Sequence, residues 1–272
     1  MKFKIGFHAD NGSANTEAAQ TEPLTQKAEI RKSLVEVYFP IRNRAYSYYN
    51  DRFDLHEGDN VFVEGKLEGI QGVVTDVNYN FKIKLSDYKR VISVIDTSVS
   101  GDLYIAEDMI VAFDREAMPY EKISSWFRPL PCEEEEVISG SDDTSFPLDE
   151  VQSWPIRPDI MERGFEYAKS GNVKYICVDG EHGRAVVAGS EIYDIEFKLN
   201  EGLISELTCN CYCNSLCKHD AATLIVLKSL MDNILKSYVD LYEESDYFAA
   251  VNKGTFYGFV MKDRKTGRLR LD

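Results

Sequence analysis

Apolar and polar residues alternate along the chain from Leu34 to about Asp96, in short stretches separated by Gly or Asp. The clearest alternation places apolar residues two or four apart, at Val73, Val77, Tyr79, Phe81, Ile83 and Leu85. Residues two apart point to the same face of a β-strand, so this spacing predicts strands. Strands this short, repeated at this interval, are typical of a small antiparallel β-barrel. We assign the barrel to residues 33–131, where the prolines of SWFRPLP end regular structure.

The second half of the chain has helical patterns on either side of a strand-rich stretch. Residues 158–171, PDIMERGFEYAKSG, predict a helix, and three strands, an Asn-Glu-Gly turn and a fourth strand, LISELTCNC, follow it. A second helix is predicted from Lys218 to Leu241, because its apolar residues are spaced three and four apart. They are Leu224, Leu227, Met231, Ile234, Tyr238 and Leu241. The sequence thus predicts an α+β protein whose second domain spans residues 151–241.

Three flanking segments lack this patterning. Residues 1–32 are rich in Asn, Ser, Ala and Thr and are predicted to be mostly disordered. Residues 132–150 contain eight acidic residues and no basic residue, which is typical of a solvated linker. The alternative is that this segment mimics the charge of a nucleic acid. Residues 242–272 are predicted to form a C-terminal tail with a hairpin around Lys-Thr-Gly.

Composition narrows the class of protein. The 272 residues are 44% hydrophobic, so the chain can bury sizeable cores, and two domains are expected. The sequence contains no apolar run long enough to span a membrane and no secretory signal, so we expect a cytoplasmic protein with reduced thiols. The formal net charge of −15 opposes non-specific binding to phosphates. Eight of the acidic residues lie in residues 132–150, which leaves room for a basic face elsewhere.

Four of the six cysteines and one of the four histidines lie within residues 209–219, CNCYCNSLCKH. Cys209 and Cys211 would present both sulfurs to one face of a strand, and Cys217 and His219 would lie at the start of the following helix. The N–H groups of a helix N-terminus favour thiolate over thiol. Three thiolates and an imidazole suit zinc, which takes sulfur and nitrogen ligands in a tetrahedron. We therefore predict one structural Zn²⁺ bound by these four residues.

Cys213 leaves two alternatives open. Cys211 and Cys213 are also two apart, so a site of four cysteines without His219 can be written. The three residues between Cys213 and Cys217, however, leave little room to turn the chain. The other alternative is redox chemistry, in which Cys213 forms a disulfide with a neighbour and expels the metal, but no thioredoxin-like pattern accompanies it. We interpret Cys213 as a spare thiol or a buried small apolar residue.

The order of Cys-x-Cys, a short loop, Cys-x-His and an apolar helix resembles the SWIM zinc finger. The resemblance covers roughly residues 157–230, and its most specific part is Cys-Lys-His followed by Asp-Ala-Ala. It implies the same four ligands, a structural zinc within a ββα unit, and binding of DNA or of a protein. The five-residue gap between Cys211 and Cys217 is short for this family, and YCNSL replaces its usual Pro- or Gly-containing turn.

The stretch IRNRAYSYYNDRF, residues 41–53, interleaves arginines with tyrosines. Cationic groups beside aromatic rings suit single-stranded nucleic acid, because bases stack on the rings and phosphates pair with the cations. The alternative is that the tyrosines pack the barrel and the arginines pair with carboxylates. The candidate nucleic-acid contacts are Arg42, Arg44, Tyr48, Arg52 and, beside the metal ligands, Lys218. A later Gly-Asp-x-Val and Gly-Val-Val pattern resembles that of SH3-like barrels.

The sequence contains no nucleophile elbow, phosphate loop or metalloprotease helix motif. We therefore expect that the protein is not an enzyme, that it has no small-molecule substrate and that it does not associate with a membrane. We expect a zinc-binding, non-catalytic module that binds DNA. The alternatives are a protein–protein interaction adaptor, which the acidity favours, and, more remotely, a thiol-redox sensor.

Overall fold

The computed structural model describes residues 2–5, 30–129, 140, 143–261 and 270–271. The chain divides into two compact units, an N-terminal unit of Gly6–Ile95 and a C-terminal unit of Met1–Ile5 and Asp96–Asp272. The strands are β1 Lys2–Ile5, β2 Ser33–Phe39, β3 Arg44–Asn50, β4 Asn60–Val63, β5 Gly72–Asn78, β6 Val91–Ile95, β7 Gly101–Ala106, β8 Met109–Ala112, β9 Ser145–Pro147, β10 Val173–Asp179, β11 His182–Ala188, β12 Ile192–Asn200, β13 Leu203–Cys209, β14 Tyr247–Asn252 and β15 Arg270–Leu271. The helices are α1 Tyr120–Ser124, α2 Pro158–Lys169, α3 Lys218–Ser237, α4 Val239–Ser245 and α5 Lys253–Phe256.

The N-terminal unit is built on a five-stranded antiparallel sheet in the order β3-β2-β5-β4-β6. The alternation expected of strands appears in β2, where Val35, Val37 and Phe39 are buried and the residues between them are more exposed. These three side chains lie in the core of the unit. At Gly72 of β5 a Cβ would lie 2.3 Å from Cγ1 of Val37, so a larger residue there would displace the core.

This sheet is not the closed barrel predicted for residues 33–131. A barrel requires its edge strands to pair along their length, whereas within the described residues β3 and β6 stay at opposite edges. A single bridge between Tyr49 and Arg90 connects β3 to the residue before β6. Alternation shows that one face of a sheet is buried, and an open sheet shares that property with a barrel. The pattern therefore predicted the strands without determining closure.

The C-terminal unit contains a ten-stranded antiparallel sheet in the order β15-β1-β7-β8-β14-β10-β11-β12-β13-β9. Helix α2 packs against α3, and α3 contacts β10 to β13. Side chains of the sheet and of α3 share one core, which includes Ile176, Val187, Phe197, Leu224 and Leu227. The predicted α+β class is confirmed, and the order of helix, four strands and helix is that of α2, β10 to β13 and α3.

The helix predicted from Lys218 to Leu241 is interrupted near its end. Helix α3 stops at Ser237, and Tyr238 has a non-helical φ of −141° before α4 begins. The ring of Tyr238 lies 5.2 Å from that of Tyr104, and its hydroxyl donates a hydrogen bond to the carbonyl oxygen of Ile105 at 2.9 Å. The break in the helix therefore falls at Tyr238, one of the residues of the predicted apolar stripe, and these contacts hold its side chain.

Several strands pair differently from the predicted domain plan. Strands β7 and β8, which the sequence placed in the N-terminal barrel, pair with β1 and β14 of the larger sheet. Strand β14 lies in the predicted tail, 242–272, and all but the last of its residues are buried. A strand buried on both faces has no alternation and cannot be told from a helical segment by periodicity. The Lys-Thr-Gly of the predicted hairpin lies outside the described residues.

Two predicted flexible segments are only partly described. Residues 6–29 of the segment 1–32 lie outside the described residues, and residues 2–5 form β1. In the predicted linker, residues 132–139 and 141–142 also lie outside, but the end of that segment belongs to the C-terminal unit. Strand β9 pairs with β13, and Phe146 and Leu148 are buried. Within the described residues no helix has the length and apolar character needed to cross a membrane.

Candidate metal centre

The four predicted metal ligands lie together in the C-terminal unit. One donor atom each from Cys209, Cys211, Cys217 and His219 can be chosen so that all four atoms lie within 4.8 Å of one another. Nδ1 of His219 is 3.4 Å from Sγ of Cys217 and 3.7 Å from Sγ of Cys209. Sulfur and imidazole nitrogen atoms at these distances could hold one metal ion.

Two secondary-structure elements position these ligands. Cys209 is the last residue of β13, where it is opposite Ile195 of β12. Cys211 lies in the irregular segment after the strand, so the two cysteines do not share one strand as the sequence predicted. Cys217 is the N-cap of α3, and His219 lies in the first turn of that helix. The cluster therefore joins the end of a hairpin to the start of a helix.

The start of α3 is held by a capping box between Cys217 and Asp220. The backbone N–H of Cys217 donates a hydrogen bond to Oδ2 of Asp220 at 2.7 Å, and Sγ of Cys217 accepts one from the N–H of His219 at 3.3 Å. Sequence analysis missed Asp220, although an acidic side chain three residues after the N-cap is a recognisable capping signal. Burial raises the pKa of the Asp220 carboxyl group.

We expect Asp220→Ala to lower the free energy of unfolding of the C-terminal unit by about 1–2 kcal/mol. The substitution leaves the buried N–H of Cys217 without its acceptor, and it frees the ligand next to it to move. Urea unfolding monitored by circular dichroism measures the change. Asp220→Asn is the matched control because its amide oxygen can still accept the hydrogen bond. Equal stability of the Ala variant and the wild-type protein would contradict a capping role.

The imidazole of His219 is buried among aromatic rings. It stacks on Tyr193 with ring centroids 4.0 Å apart, and the edge contact with Tyr167 has a centroid distance of 5.6 Å. Burial lowers the pKa of His219 to about 4, and the charges of Lys218 and Arg163 act in the same direction. The imidazole is therefore neutral at pH 7, which is the form that binds a metal. Its Nε2 atom is buried and has no hydrogen-bond partner within the described residues, which leaves Nδ1 facing the sulfurs.

Two of the three clustered thiols have raised pKa values. Hydrogen bonding to Cys209 and burial raise the pKa of Cys217 far above its ordinary value. Burial raises the pKa of Cys211 to about 11. Without a metal the thiols of Cys211 and Cys217 are therefore protonated at neutral pH. A divalent ion would supply the positive charge that stabilises three thiolates in one place.

Cys213 does not belong to the cluster. Its side chain is exposed, as is that of Tyr212 beside it. The alternative set of four cysteines without His219 is not the one that the structure brings together. The description of Cys213 as a buried apolar residue is likewise corrected, because the five-residue loop turns this side chain to solvent.

The candidate nucleic-acid contacts differ in their exposure. Arg42, Arg44 and Arg52 are exposed and form no salt bridge within the described residues. Tyr48 is only 6% exposed and lies in the core of the N-terminal unit, so its ring is not available for stacking on a base. Lys218 is half-buried, and its Nζ lies 4.5 Å from the centroid of the Tyr167 ring.

Comparisons with protein-family models, curated proteins and solved structures found no match to this chain. Cys209, Cys211, Cys217 and His219 form a Cys/His cluster that could hold one metal ion in an α+β protein.

Proposed function

We propose that Cys209, Cys211, Cys217 and His219 bind one structural zinc ion. In tetrahedral zinc sites, Zn–S and Zn–N bonds of about 2.3 and 2.0 Å place sulfur and nitrogen ligands about 3.5 Å apart. The observed Nδ1–Sγ separations of 3.4 and 3.7 Å fit that spacing closely. This fit is the observation that carries the proposal. Four protein ligands leave no open coordination position, so the proposed role of the ion is to hold β13 against α3 rather than to catalyse a reaction.

We infer that this unit works as a SWIM-type finger. Support comes from the order of its parts, in which helix α2 and strands β10 to β13 precede the ligand loop and α3 follows it. The ligand pattern, Cys-x-Cys and Cys-x-His, falls at the junction that this order requires. The chain is proposed to be a non-catalytic binding module.

Nucleic acid is the ligand we propose for this module. Near the metal centre, Lys218 and Arg163 place positive charge close to His219. In the N-terminal unit, Arg42 and Arg44 are exposed beside Tyr46, which is 40% exposed. Tyr46 therefore replaces Tyr48 as the proposed stacking ring. Each unit thus offers cations that could pair with phosphates.

Binding to a single-stranded oligonucleotide is expected to weaken steeply as salt is added. If about three phosphates are neutralised, the logarithm of the affinity falls with the logarithm of the salt concentration with a slope of about −2. Fluorescence anisotropy with a labelled oligonucleotide, between about 50 and 200 mM salt, measures that slope. We expect Arg42→Ala/Arg44→Ala to weaken binding and to make the slope shallower. With fewer phosphate contacts, fewer counterions leave the oligonucleotide when the protein binds.

The matched control is Lys66→Ala/Lys236→Ala, which removes two exposed positive charges outside the proposed contacts. It should leave binding close to that of the wild-type protein. Absence of binding even at the lowest salt concentration would reject the proposal. Equal weakening by both double variants would reject these arginines as specific contacts.

A further inference from the structure

A groove of about 560 Å³ crosses the C-terminal unit between the second half of α3 and the turn that joins β12 to β13. We call it the α3 groove. Apolar side chains from the helices and the sheet line it, namely Leu148, Leu199, Met231 and Tyr242. None of the four metal ligands lines this groove. A function of the groove can therefore be tested separately from the metal centre.

Two large apolar side chains lie exposed in the α3 groove. Leu203 is 45% exposed and Leu235 is 52% exposed. Leu235 is four residues after Met231, so both lie on one face of α3. Scattered exposed leucines are ordinary on protein surfaces, but apolar side chains that converge in one concave site are typical of a binding surface.

The position of Leu203 is fixed by the backbone around it. Glu201 and Gly202 form a two-residue turn with φ values of +48° and +80°, and Leu203 then pairs with Asn200 across the hairpin. On its other side Leu203 pairs with Pro147 of β9. The backbone that carries the exposed leucine is therefore fixed before any partner binds, which lowers the entropic cost of binding.

The rim of the α3 groove is acidic. Its carboxylates belong to Asp149, Glu181, Glu201, Asp232 and Asp246. The groove also contains Lys228, which forms a salt bridge of 2.6 Å with Asp232. Within the described residues, the other four carboxylates form no salt bridge. Lys198 and Arg115 interact with Glu181 and Asp246 at longer range, but carboxylates outnumber cations along the rim. An apolar floor with a predominantly negative rim disfavours phosphates and favours a positively charged partner.

We propose that the α3 groove binds a positively charged segment of a partner protein. Apolar side chains of that segment enter between Leu203 and Leu235, and its Lys or Arg side chains pair with the carboxylates of the rim. The negative charge also raises the rate of encounter with such a partner. This activity goes beyond nucleic-acid binding and uses a different surface, so either proposal can fail without the other.

The first test uses two designed peptides of roughly 18 residues, long enough to form a helix on binding. Both carry Leu at the same helical spacing, and their remaining positions are Lys in one peptide and Glu in the other. We expect the Leu/Lys peptide to bind the full-length protein and the Leu/Glu peptide not to bind, by isothermal titration calorimetry. Binding of neither peptide, or equal binding of both, would overturn the proposal.

Substitution of the exposed leucines localises the binding. Leu203→Ser/Leu235→Ser should weaken the Leu/Lys peptide by about tenfold or more, because both anchors are lost. Ile41→Ser/Leu85→Ser is the matched control, since these side chains are 74% and 45% exposed in the N-terminal unit. The single variant Leu235→Ser, on the outer face of α3, serves if the double variant unfolds. Affinity unchanged by loss of the groove leucines would overturn the proposal.

Replacing carboxylates of the rim by amides tests whether the negative charge of the α3 groove contributes to peptide binding. Asp149→Asn/Glu201→Gln should weaken the Leu/Lys peptide and reduce its dependence on salt, whereas Glu57→Gln/Glu68→Gln, with the same change in net charge outside the groove, should not. Equal effects of the two pairs would mean that only the overall charge matters, and would overturn the assignment to this groove.

Sedimentation of the protein alone measures its oligomeric state and gives a further outcome. A dimer that Leu203→Ser/Leu235→Ser dissociates would assign the groove to a second copy instead of a cationic partner.

Discussion

Zinc should disappear from the purified protein when any one of Cys209, Cys211 or Cys217 is changed to Ser, or when His219 is changed to Ala. The wild-type protein is expected to contain one zinc ion per chain. Each substitution leaves three protein ligands and opens the site to water. Loss of a supporting residue around a metal already costs about 10–100-fold in affinity, so loss of a ligand should cost more. Inductively coupled plasma mass spectrometry after gel filtration measures the zinc content.

Cys213→Ser is the matched control, because it removes a neighbouring thiol that lies outside the cluster and is exposed. It should retain zinc. In the four ligand variants, hydrogen–deuterium exchange should increase over residues 200–240, while the strands of the N-terminal unit keep their protection. Zinc loss in Cys213→Ser would require another ligand set. A wild-type protein that is free of metal and yet fully protected in this region would refute the metal centre.

The second large effect is expected at Gly164, where α2 crosses α3. A Cβ at this position would lie 2.4 Å from Cβ of Ala221 and 3.2 Å from the backbone carbonyl carbon of Ala221. In a helix, replacing Gly by Ala normally stabilises by up to about 1 kcal/mol. Overpacking costs about 1–3 kcal/mol, and here the nearest atoms include a helix backbone that cannot rotate away. Steric overlap should therefore outweigh helix propensity.

We expect Gly164→Val to lower the free energy of unfolding by about 3 kcal/mol, measured by urea unfolding of the zinc-loaded protein. Because Ala221 is two residues after His219, displacement of α3 should also weaken zinc binding, which competition with a chromophoric chelator measures. Gly258→Val is the control, since a Cβ at Gly258 meets no atom within 4 Å. Full stability of Gly164→Val would show that the two helices do not approach this closely in solution.

The Cys/His cluster could be predicted from the sequence because its four residues all lie within residues 209–219. Over so short a distance, the number of residues between ligands limits how the chain can fold, and the chemistry of sulfur and imidazole limits what they bind. The exact backbone was less predictable. The sequence placed Cys209 and Cys211 on one strand, but β13 ends at Cys209 and Cys211 lies in the loop that follows.

Pairing between distant strands could not be predicted in the same way. Strand β14 is buried almost throughout and pairs with β8 and β10, which lie far from it in sequence. Nothing in its own residues, YFAAVN, specifies those partners. Tyr48 shows a related limit, since only the second half of β3 is buried and its burial does not alternate. The spacing of apolar residues along one strand indicates which face of the strand each side chain lies on. It does not indicate which other elements pack against that face.

The pairing of β1 with β7 has a consequence for how the chain is made. Phe3 lies opposite Leu103, and the whole N-terminal unit is inserted between those two positions. During translation β1 emerges before β7, which leaves the ribosome only after the inserted sheet, whose strands all lie close together in sequence. The nascent chain must therefore keep β1 unpaired while that insert folds. A shortened chain that lacks residues 2–5 would leave one side of β7 open to pairing with other molecules, so aggregation is the hazard of such trimming.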